Sequence, residues 1–133
     1  LKQWNVTDYL NAYPKEYYLE LQKDHQLYVW KQDHKIIGAL ALFDTDEYWS
    51  ICDHSTAFYI HHLVTDPKYH GVGTKMLAQA EKIAAACGKK YLRLDCAVDN
   101  TALNQYYEKL GFTYQGKCQD GPYLGNRLEK LLK

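Results

Sequence analysis

The second half of the chain alternates between short apolar segments and connections that contain glycine or polar residues. Residues 57–65 and 91–97 are rich in aromatic and branched side chains, which predicts strands. After Gly71-Val72-Gly73, apolar residues recur at helical spacing and predict a helix that ends near Cys87, with Gly88 as its left-handed cap. A single helical crossover between two strands predicts parallel pairing. The buried side of this helix is predicted to contain Met76, Ala80, Ile83, Ala84 and Cys87.

Strict alternation along residues 57–65 predicts which side chains share a face of that strand. As neighbours, His61 and His62 would point to opposite faces. One predicted face contains Phe58, Ile60, His62 and Val64, and the other contains Tyr59, His61, Leu63 and Thr65.

The segments before this strand add a helix and a hairpin to the pattern. Residues 14–24 predict a helix, and residues 27–30 and 35–43 predict two strands that pair as an antiparallel hairpin. Gly38, inside the second of these strands, indicates a bulge or a close approach by another element. Residues 44–56 are polar and irregular.

The C-terminal part predicts one more helix and two further elements. Asn100 is a good N-cap for a helix that runs to Leu110, and residues 112–117 predict a strand. Residues 126–132 fit a strand or a short helix, and an exposed final strand could pair across a homodimer. We therefore expect one α/β (α+β) domain over residues 1–133, with a mixed central sheet and flanking helices.

Composition excludes several classes of protein. The chain has 16 basic and 16 acidic residues, so it offers no overall charge for binding nucleic acid or an acidic membrane. Its apolar runs are far shorter than the roughly 20 residues that cross a membrane. The four cysteines are scattered and contain no CxxC pair, so we expect reduced thiols, most of them small core residues, in a cytoplasmic protein.

A strand, a glycine turn and a helix N-terminus in succession are suited to binding a phosphate group. The first amides of a helix have no partner within it, and the helix dipole adds a partial positive charge there. Gly71 and Gly73 let the backbone approach an anion closely, and Lys68 and His70 lie beside them. The Gly-x-Gly spacing alone fits a tight structural turn equally well.

The whole stretch IHHLVTDPKYHGVGTKML at residues 60–77 resembles the cofactor motif of the GNAT superfamily of N-acetyltransferases. LRLD at residues 92–95, followed by N-x-x-L-x-x-YYEKLGF at residues 100–112, resembles the second motif of that superfamily. The second match is the more specific one, and the resemblance covers most of the chain. It implies the fold described above and the transfer of an acetyl group from acetyl-CoA to a primary amine, with no metal.

The resemblance also implies roles for individual residues. Tyr107 would donate a proton to the departing thiolate as the general acid, although its place on an apolar helix face would otherwise predict a core residue. His61 is the candidate for the base that deprotonates the amine, and a hydrogen-bonded structural histidine is the alternative. The residues implied to bind acetyl-CoA are Leu63, Val64, Thr65, Lys68, His70, Gly71, Val72, Gly73, Thr74 and Asn100.

The sequence departs from the family pattern in two places. Lys68 stands where arginine or glutamine is usual, and the alternative alignment leaves the loop around residues 69–71 two residues short. The first strand and the first helix of the family are not visible before Trp4. We therefore expect that residues are missing before Leu1 and from this loop.

Other functions remain open at this point. A non-catalytic CoA-binding or regulatory module could have the same fold. A metal site is a weaker alternative, since no ligand spacing resembles a structural zinc site; its ligands would be Cys52, His54, His61 and His62. The acceptor is a small-molecule or peptide amine of open identity. Acidic residues that could attract it are Asp44, Asp46, Glu47 and Asp53.

Overall fold

The computed structural model of the protein describes residues 26–50 and 52–133. The helix predicted over residues 14–24, and the question of a segment before Leu1, lie outside these residues. Six strands and two α-helices occur along the described residues. The strands are β1 (Leu27–Gln32), β2 (Lys35–Phe43), β3 (Ala57–Thr65), β4 (Tyr91–Ala97), β5 (Thr113–Asp120) and β6 (Tyr123–Leu131), and the helices are α1 (Val72–Ala86) and α2 (Thr101–Lys109).

The strands pair in the order β1-β2-β3-β4-β6-β5, and the sheet is mixed as predicted. β3 and β4 are parallel, which confirms the crossover prediction, and their ladder covers the three pairs from Ala57↔Tyr91 to Tyr59↔Arg93. β6 is a strand and not a helix, and it pairs antiparallel with both β4 and β5. The prediction of an exposed final strand is therefore wrong, because β6 has a neighbour on each side.

β1 and β2 form the predicted hairpin around a two-residue turn. Asp33 and His34 both have positive φ angles, 51° and 67°, which is the backbone of the turn that matches the twist of paired strands. The register shifts between Trp30 and Lys31, because Trp30 pairs with Gly38 while Lys31 pairs with residue 36. The hairpin therefore contains the bulge that the glycine indicated.

Gly38 also permits a close approach by α1. A Cβ atom built on Gly38 would lie 2.5 Å from Met76 Sδ and 3.2 Å from Val72 Cγ1. The shorter distance is one that real Cβ atoms do not show, so a side chain at residue 38 would require the Met76 side chain to move, and glycine lets β2 pack closely against the N-terminal part of α1. The predicted close approach is confirmed.

The described chain divides into two compact units by its internal contacts. Residues 26–43 and 60–82 belong to unit 1, and residues 44–59 and 83–133 belong to unit 2. Fully buried side chains of unit 1 include Leu40, Met76 and Leu77, and those of unit 2 include Trp49 and Tyr59. The segment at residues 44–56 is irregular as predicted and contains two 3-10 turns, at Glu47–Trp49 and His54–Thr56.

Two predictions about cysteine burial need correction. Cys87 is exposed, because α1 ends at Ala86 and Gly88 reverses the chain with a φ of +78°. Cys96 and Cys118 are buried while Cys52 is partly exposed, so only half of the thiols are core residues. None of the described helices is long and apolar enough to cross a membrane.

Candidate functional site

The alternation of β3 is interrupted at His62. This residue has a φ angle of +57°, a left-handed conformation that residues with a side chain rarely adopt. The ring centroids of His61 and His62 lie 4.9 Å and 6.3 Å from that of Phe43, and 5.9 Å from each other. The prediction that the two imidazoles point to opposite faces is therefore wrong, because the left-handed residue turns the strand and brings both beside Phe43.

His62 has a strongly lowered pKa. Burial and, to a smaller extent, the repulsion between two positive charges on His62 and the neighbouring His61 together lower the pKa of His62 to about 4. His62 is therefore neutral at pH 7 and has a lone pair on one ring nitrogen.

Asp66 organises the turn formed by residues 66–71, which we call the glycine turn. The Asp66 carboxylate accepts a hydrogen bond from the Lys68 amide at 3.0 Å, and the Asp66 carbonyl accepts one from the Tyr69 amide at 3.1 Å. The Asp66 amide donates to the carbonyl of Ile37 in β2, at 2.8 Å. The amides of residues 68 and 69 are thus used inside the turn, and those of the following residues lead into α1.

Gly71 connects the glycine turn to α1 with a φ of +76°, and, its chain neighbours aside, no atom of residues 26–50 and 52–133 lies within 4 Å of the position that its Cβ would occupy. The positive φ angle therefore favours glycine at position 71, and the missing side chain leaves open space beside the N-terminus of α1. The Lys75 amide makes the first helical hydrogen bond, to Gly71 O at 3.2 Å. Val72 and Gly73 lie in the first turn of α1, where backbone amides have no partner within the helix.

The residues predicted to bind acetyl-CoA fall into two groups. All except Asn100 lie in unit 1, on the end of β3, the glycine turn and the start of α1. Asn100 lies in unit 2 as the predicted N-cap of α2, where its side chain accepts a hydrogen bond from the Leu103 amide at 3.1 Å. The members of unit 1 that are exposed are Thr65, Lys68, His70, Gly71 and Thr74, and Leu63, Val64 and Gly73 are partly buried.

Tyr107 lies on α2 and is only 5% exposed. Its ring packs edge-on against Phe112 at 5.5 Å and is tilted against Tyr106 at 5.4 Å. Burial raises the pKa of the phenol, and the nearby thiol of Cys96 adds to this effect. Within the described part of the chain the phenol makes no hydrogen bond, so its proton is not committed to another residue.

A polar network around Asn104, which the sequence analysis did not predict, supports the start of α2. The amide nitrogen of Asn104 donates to the carbonyls of Ala97 and Asn100, at 3.0 Å and 2.9 Å. Its oxygen accepts from Asn126 at 2.9 Å and from the Cys96 thiol at 3.3 Å. Both donors and both acceptor positions of the side chain are used, so the end of β4, α2 and β6 are joined through one residue.

A second network that the sequence analysis missed surrounds Arg93, which is 5% exposed. Its guanidinium donates to Glu129 at 2.8 Å, to the Tyr59 hydroxyl at 2.7 Å and to the Asp53 carbonyl at 3.0 Å. The Tyr59 hydroxyl also lies 2.6 Å from Nδ1 of His54. An arginine inside the apolar strand YLRLDCA was the available signal, because a buried charge requires partners.

The proposed metal ligands are not brought together as a site. Among residues 26–50 and 52–133, no three His, Cys, Asp or Glu side chains are close enough to hold a metal ion. His54 is hydrogen-bonded to Tyr59 in unit 2, whereas His61 and His62 pack beside Phe43 in unit 1.

Known proteins resemble this chain along most of its length. The sequence profile of the acetyltransferase (GNAT) family matches residues 1–112. YesJ of Bacillus subtilis (strain 168), an uncharacterized N-acetyltransferase, is 26% identical over 111 residues, which are 78% of this chain and 61% of YesJ. The chain thus spans less than two thirds of that relative.

Solved structures share the fold. An acetyltransferase of the GNAT family from Listeria monocytogenes 4b F2365 has a TM-score of 0.76 at 24% identity, over 98% of this chain and 77% of its own. Ard1 from Thermoplasma volcanium has a TM-score of 0.75 at 15% identity, over 91% and 81%. A Bacillus anthracis str. Ames structure in complex with acetyl coenzyme A has a TM-score of 0.66 at 23% identity, over 80% and 62%.

The profile match includes both regions that carry the candidate residues, the glycine turn with α1 and the helix α2. It confirms the resemblance that the motifs at residues 60–77 and 100–112 indicated. The chain belongs to the acetyltransferase (GNAT) family.

Proposed function

We propose that the protein is an acetyl-CoA-dependent N-acetyltransferase that transfers an acetyl group directly to a primary amine of a small molecule or peptide. The observation that carries this proposal is the succession of β3, the glycine turn and the α1 N-terminus. Gly71 leaves open space there, and the first amides of α1 point out of the helix. A diphosphate group would be favoured at this position by the amides and by the helix dipole.

Acetyl-CoA would be held mainly by backbone groups. Its pantetheine arm would pair with the backbone at Leu63 and Thr65, and its diphosphate would accept hydrogen bonds from amides in the first turn of α1. The relative from Bacillus anthracis that is bound to acetyl coenzyme A supports this choice of acyl donor. Lys68 and His70 are exposed beside the turn and would add positive charge or hydrogen bonds.

The reaction needs two proton transfers. The amine nitrogen forms a bond to the thioester carbon while the carbon–sulfur bond breaks, so the nitrogen must lose a proton and the sulfur must gain one. Tyr107 is the proposed donor to the sulfur. The raised pKa of Tyr107 keeps its phenol protonated and ready to donate. Burial also raises the pKa of the nearby Cys96 thiol to about 12, which shows that a thiol in these surroundings holds its proton strongly. The departing CoA thiolate would therefore be a strong proton acceptor at the same place.

Two neighbouring histidines are candidates for the base that accepts the proton of the amine. His61 remains the predicted base, and His62 beside it is a second candidate because it is neutral at pH 7. Separate His61→Gln and His62→Gln variants distinguish the two candidates. Substitution of the residue that acts as the base should lower kcat and remove the acid limb of the pH profile of kcat, and substitution of the other histidine should do neither.

The first experiment is calorimetric titration of acetyl-CoA into the wild-type protein and into Gly71→Glu. We expect binding to the wild type and its loss in the variant, because a carboxylate would fill the open space where the diphosphate is proposed to bind. Gly121→Glu is the matched control, since Gly121 also has a positive φ and an unoccupied Cβ position but lies in the β5–β6 turn. Absence of binding to the folded wild type would reject the proposal.

Turnover distinguishes an enzyme from a binding module. A panel of amino acids, polyamines, aminoglycosides and peptides is tested for release of the CoA thiol. We expect Tyr107→Phe to lower kcat by about 10²- to 10⁴-fold with little change in the Kd of acetyl-CoA, as for loss of a general acid. Tyr106→Phe is the control on the same helix. Binding without release of thiol by any amine would identify a non-catalytic CoA-binding module instead.

Two of the four acidic residues at 44–56 are engaged by the local backbone. Asp46 and Asp53 already accept backbone hydrogen bonds at the two 3-10 turns, from Tyr48 and Ser55. Their carboxylates are thus used in part to shape the segment, so the amine panel above, and not the charge of this segment, decides the substrate.

A further inference from the structure

β2 is tied to the glycine turn by a side-chain contact in addition to the backbone bond already described. Lys35 Nζ lies 3.5 Å from the second carboxylate oxygen of Asp66, the first oxygen of which accepts the Lys68 amide. The same ammonium lies 5.7 Å from the centre of the Tyr69 ring. Lys35 therefore contacts the first residue of the glycine turn and lies beside the ring of a second residue within it.

Asp66 presents an electrostatic problem for an anion site. Hydrogen bonding from the Lys68 amide lowers its pKa, and the positive charges of Lys35 and Lys68 act in the same direction, so the group is ionised at neutral pH. A carboxylate is well suited to shape the turn, but its charge opposes the approach of a diphosphate. Removing that opposition requires a cation close to the carboxylate.

We propose that Lys35 is a positioning residue of the acetyl-CoA site that acts through Asp66, by holding its carboxylate in the turn and cancelling its negative charge. The proposal rests on the proposed function, because it assumes that acetyl-CoA binds at the glycine turn. Lys35 lies in the β1–β2 hairpin, outside the motif at residues 60–77, so the proposal extends the acyl-donor site to this hairpin.

The ion pair between Lys35 and Asp66 is partly exposed to solvent, so it differs from a buried salt bridge that stabilises a fold. The side chains of Lys35 and Asp66 are 54% and 21% exposed, and pairs of this kind contribute little to folding. Conservative substitutions at both positions should therefore leave the fold intact. Asparagine in place of Asp66 retains an oxygen that accepts the Lys68 amide, so that variant removes the charge and keeps the turn.

The test is a double-mutant cycle on the KM and Kd of acetyl-CoA. We expect Lys35→Met to raise both by about three- to five-fold, because the Asp66 charge is no longer cancelled. Asp66→Asn should leave them equal or lower them by up to about two-fold, and the double variant should return to within about two-fold of the wild type. Lys35→Arg should restore wild-type values, and kcat and the KM of the amine should stay unchanged throughout.

Lys31→Met is the matched control, because it removes an exposed lysine from β1 of the same hairpin. The difference between wild type and Lys35→Met should largely vanish at about 0.5 M salt, where charges are screened within a few ångströms. A double variant as weak as Lys35→Met would overturn the proposal and indicate that Lys35 contacts the ligand directly. Equal weakening by Asp66→Asn would overturn it in favour of a purely structural bridge.

The two proposals fail in different ways. If the wild-type protein neither binds nor turns over acetyl-CoA, the proposed function is wrong. If the wild type binds acetyl-CoA and the four variants all match it, only the role of Lys35 is wrong.

Discussion

At the scale of single residues, His62 shows how one backbone angle changes the chemistry available to a strand. Its left-handed conformation costs of the order of 1–3 kcal/mol and persists only where surrounding contacts impose it. The result is a pair of imidazoles beside Phe43, one of them with a strongly lowered pKa. A regular strand would have separated the two rings and left one candidate base on each face.

His62 should make stability depend on pH. Its pKa is about 6.5 in the unfolded chain and about 4 in the folded protein, so between these values the unfolded chain binds more protons. The free energy of unfolding should therefore fall as the pH drops from 6.5 to 4, by about 1–2 kcal/mol after allowance for partial exposure. Urea unfolding at pH 7, 5.5 and 4.5 measures this loss. It should be smaller in His62→Gln, and equal losses in both proteins would contradict the assignment.

The sequence could predict some of these residue conformations and not others. The left-handed cap predicted at Gly88 is confirmed by its φ of +78°, because a residue in that position is usually glycine. Gly71 is predicted only as a place where the backbone can approach an anion, and its φ of +76° is an additional finding. His62 was not recognisable, because nothing in an alternating strand marks one histidine as left-handed and tertiary contacts decide the matter. The burial of Arg93 was similarly hidden, since it depends on Glu129 at a distance of 36 residues in the sequence.

At the scale of elements, the contact between β2 and α1 determines where the helix N-terminus lies. Gly38→Ala would place a methyl group 2.5 Å from Met76 Sδ and 3.2 Å from Val72 Cγ1. We expect a loss of about 1–3 kcal/mol in the free energy of unfolding, which is typical of overpacking. Because Val72 begins α1, acetyl-CoA binding should weaken as well. Chemical denaturation and calorimetry measure the two effects.

The mechanism of that loss is tested by removing the obstacle. In a Met76→Ala background the added methyl group has room, so Gly38→Ala should cost much less than in the wild type. Equal costs in the two backgrounds would mean that the clash with Met76 is not the cause.

The pattern of apolar and polar residues predicts the bounds of an element correctly where local propensity and tertiary packing favour the same structure. β2, β3 and β4 have the bounds that the sequence predicted, because their apolar runs end at turn residues on both sides. The sequence of β6 fits a strand or a helix, since Glu-Lys-Leu-Leu-Lys suits a helix locally. Long-range pairing overrides that local preference, because β6 forms seven residue pairs with β4 on one side and a ladder with β5 on the other.

At the scale of the whole molecule, the strand order is the feature that lay beyond sequence reasoning. A final strand is expected at an edge unless long-range pairing places it elsewhere, and β6 lies between β4 and β5. The family profile ends at residue 112, so the β5–β6 hairpin follows the matched region. The candidate residues all precede the hairpin, whereas both polar networks of unit 2 extend into it through Asn126 and Glu129.

A chain that ends at Phe112 should therefore not fold cooperatively, although it retains the matched region and every candidate site residue. β4 would lose its seven-pair ladder, and Arg93 would lose Glu129, which leaves a buried cation without its carboxylate. Loss of one partner of such a pair alone costs about 3–5 kcal/mol, a large part of the stability of a domain. Circular dichroism during heating should show no sharp transition for residues 1–112 and an unchanged one for a chain that lacks only Lys133. A sharp transition in the shorter chain would show that the hairpin is an addition to a core that folds without it.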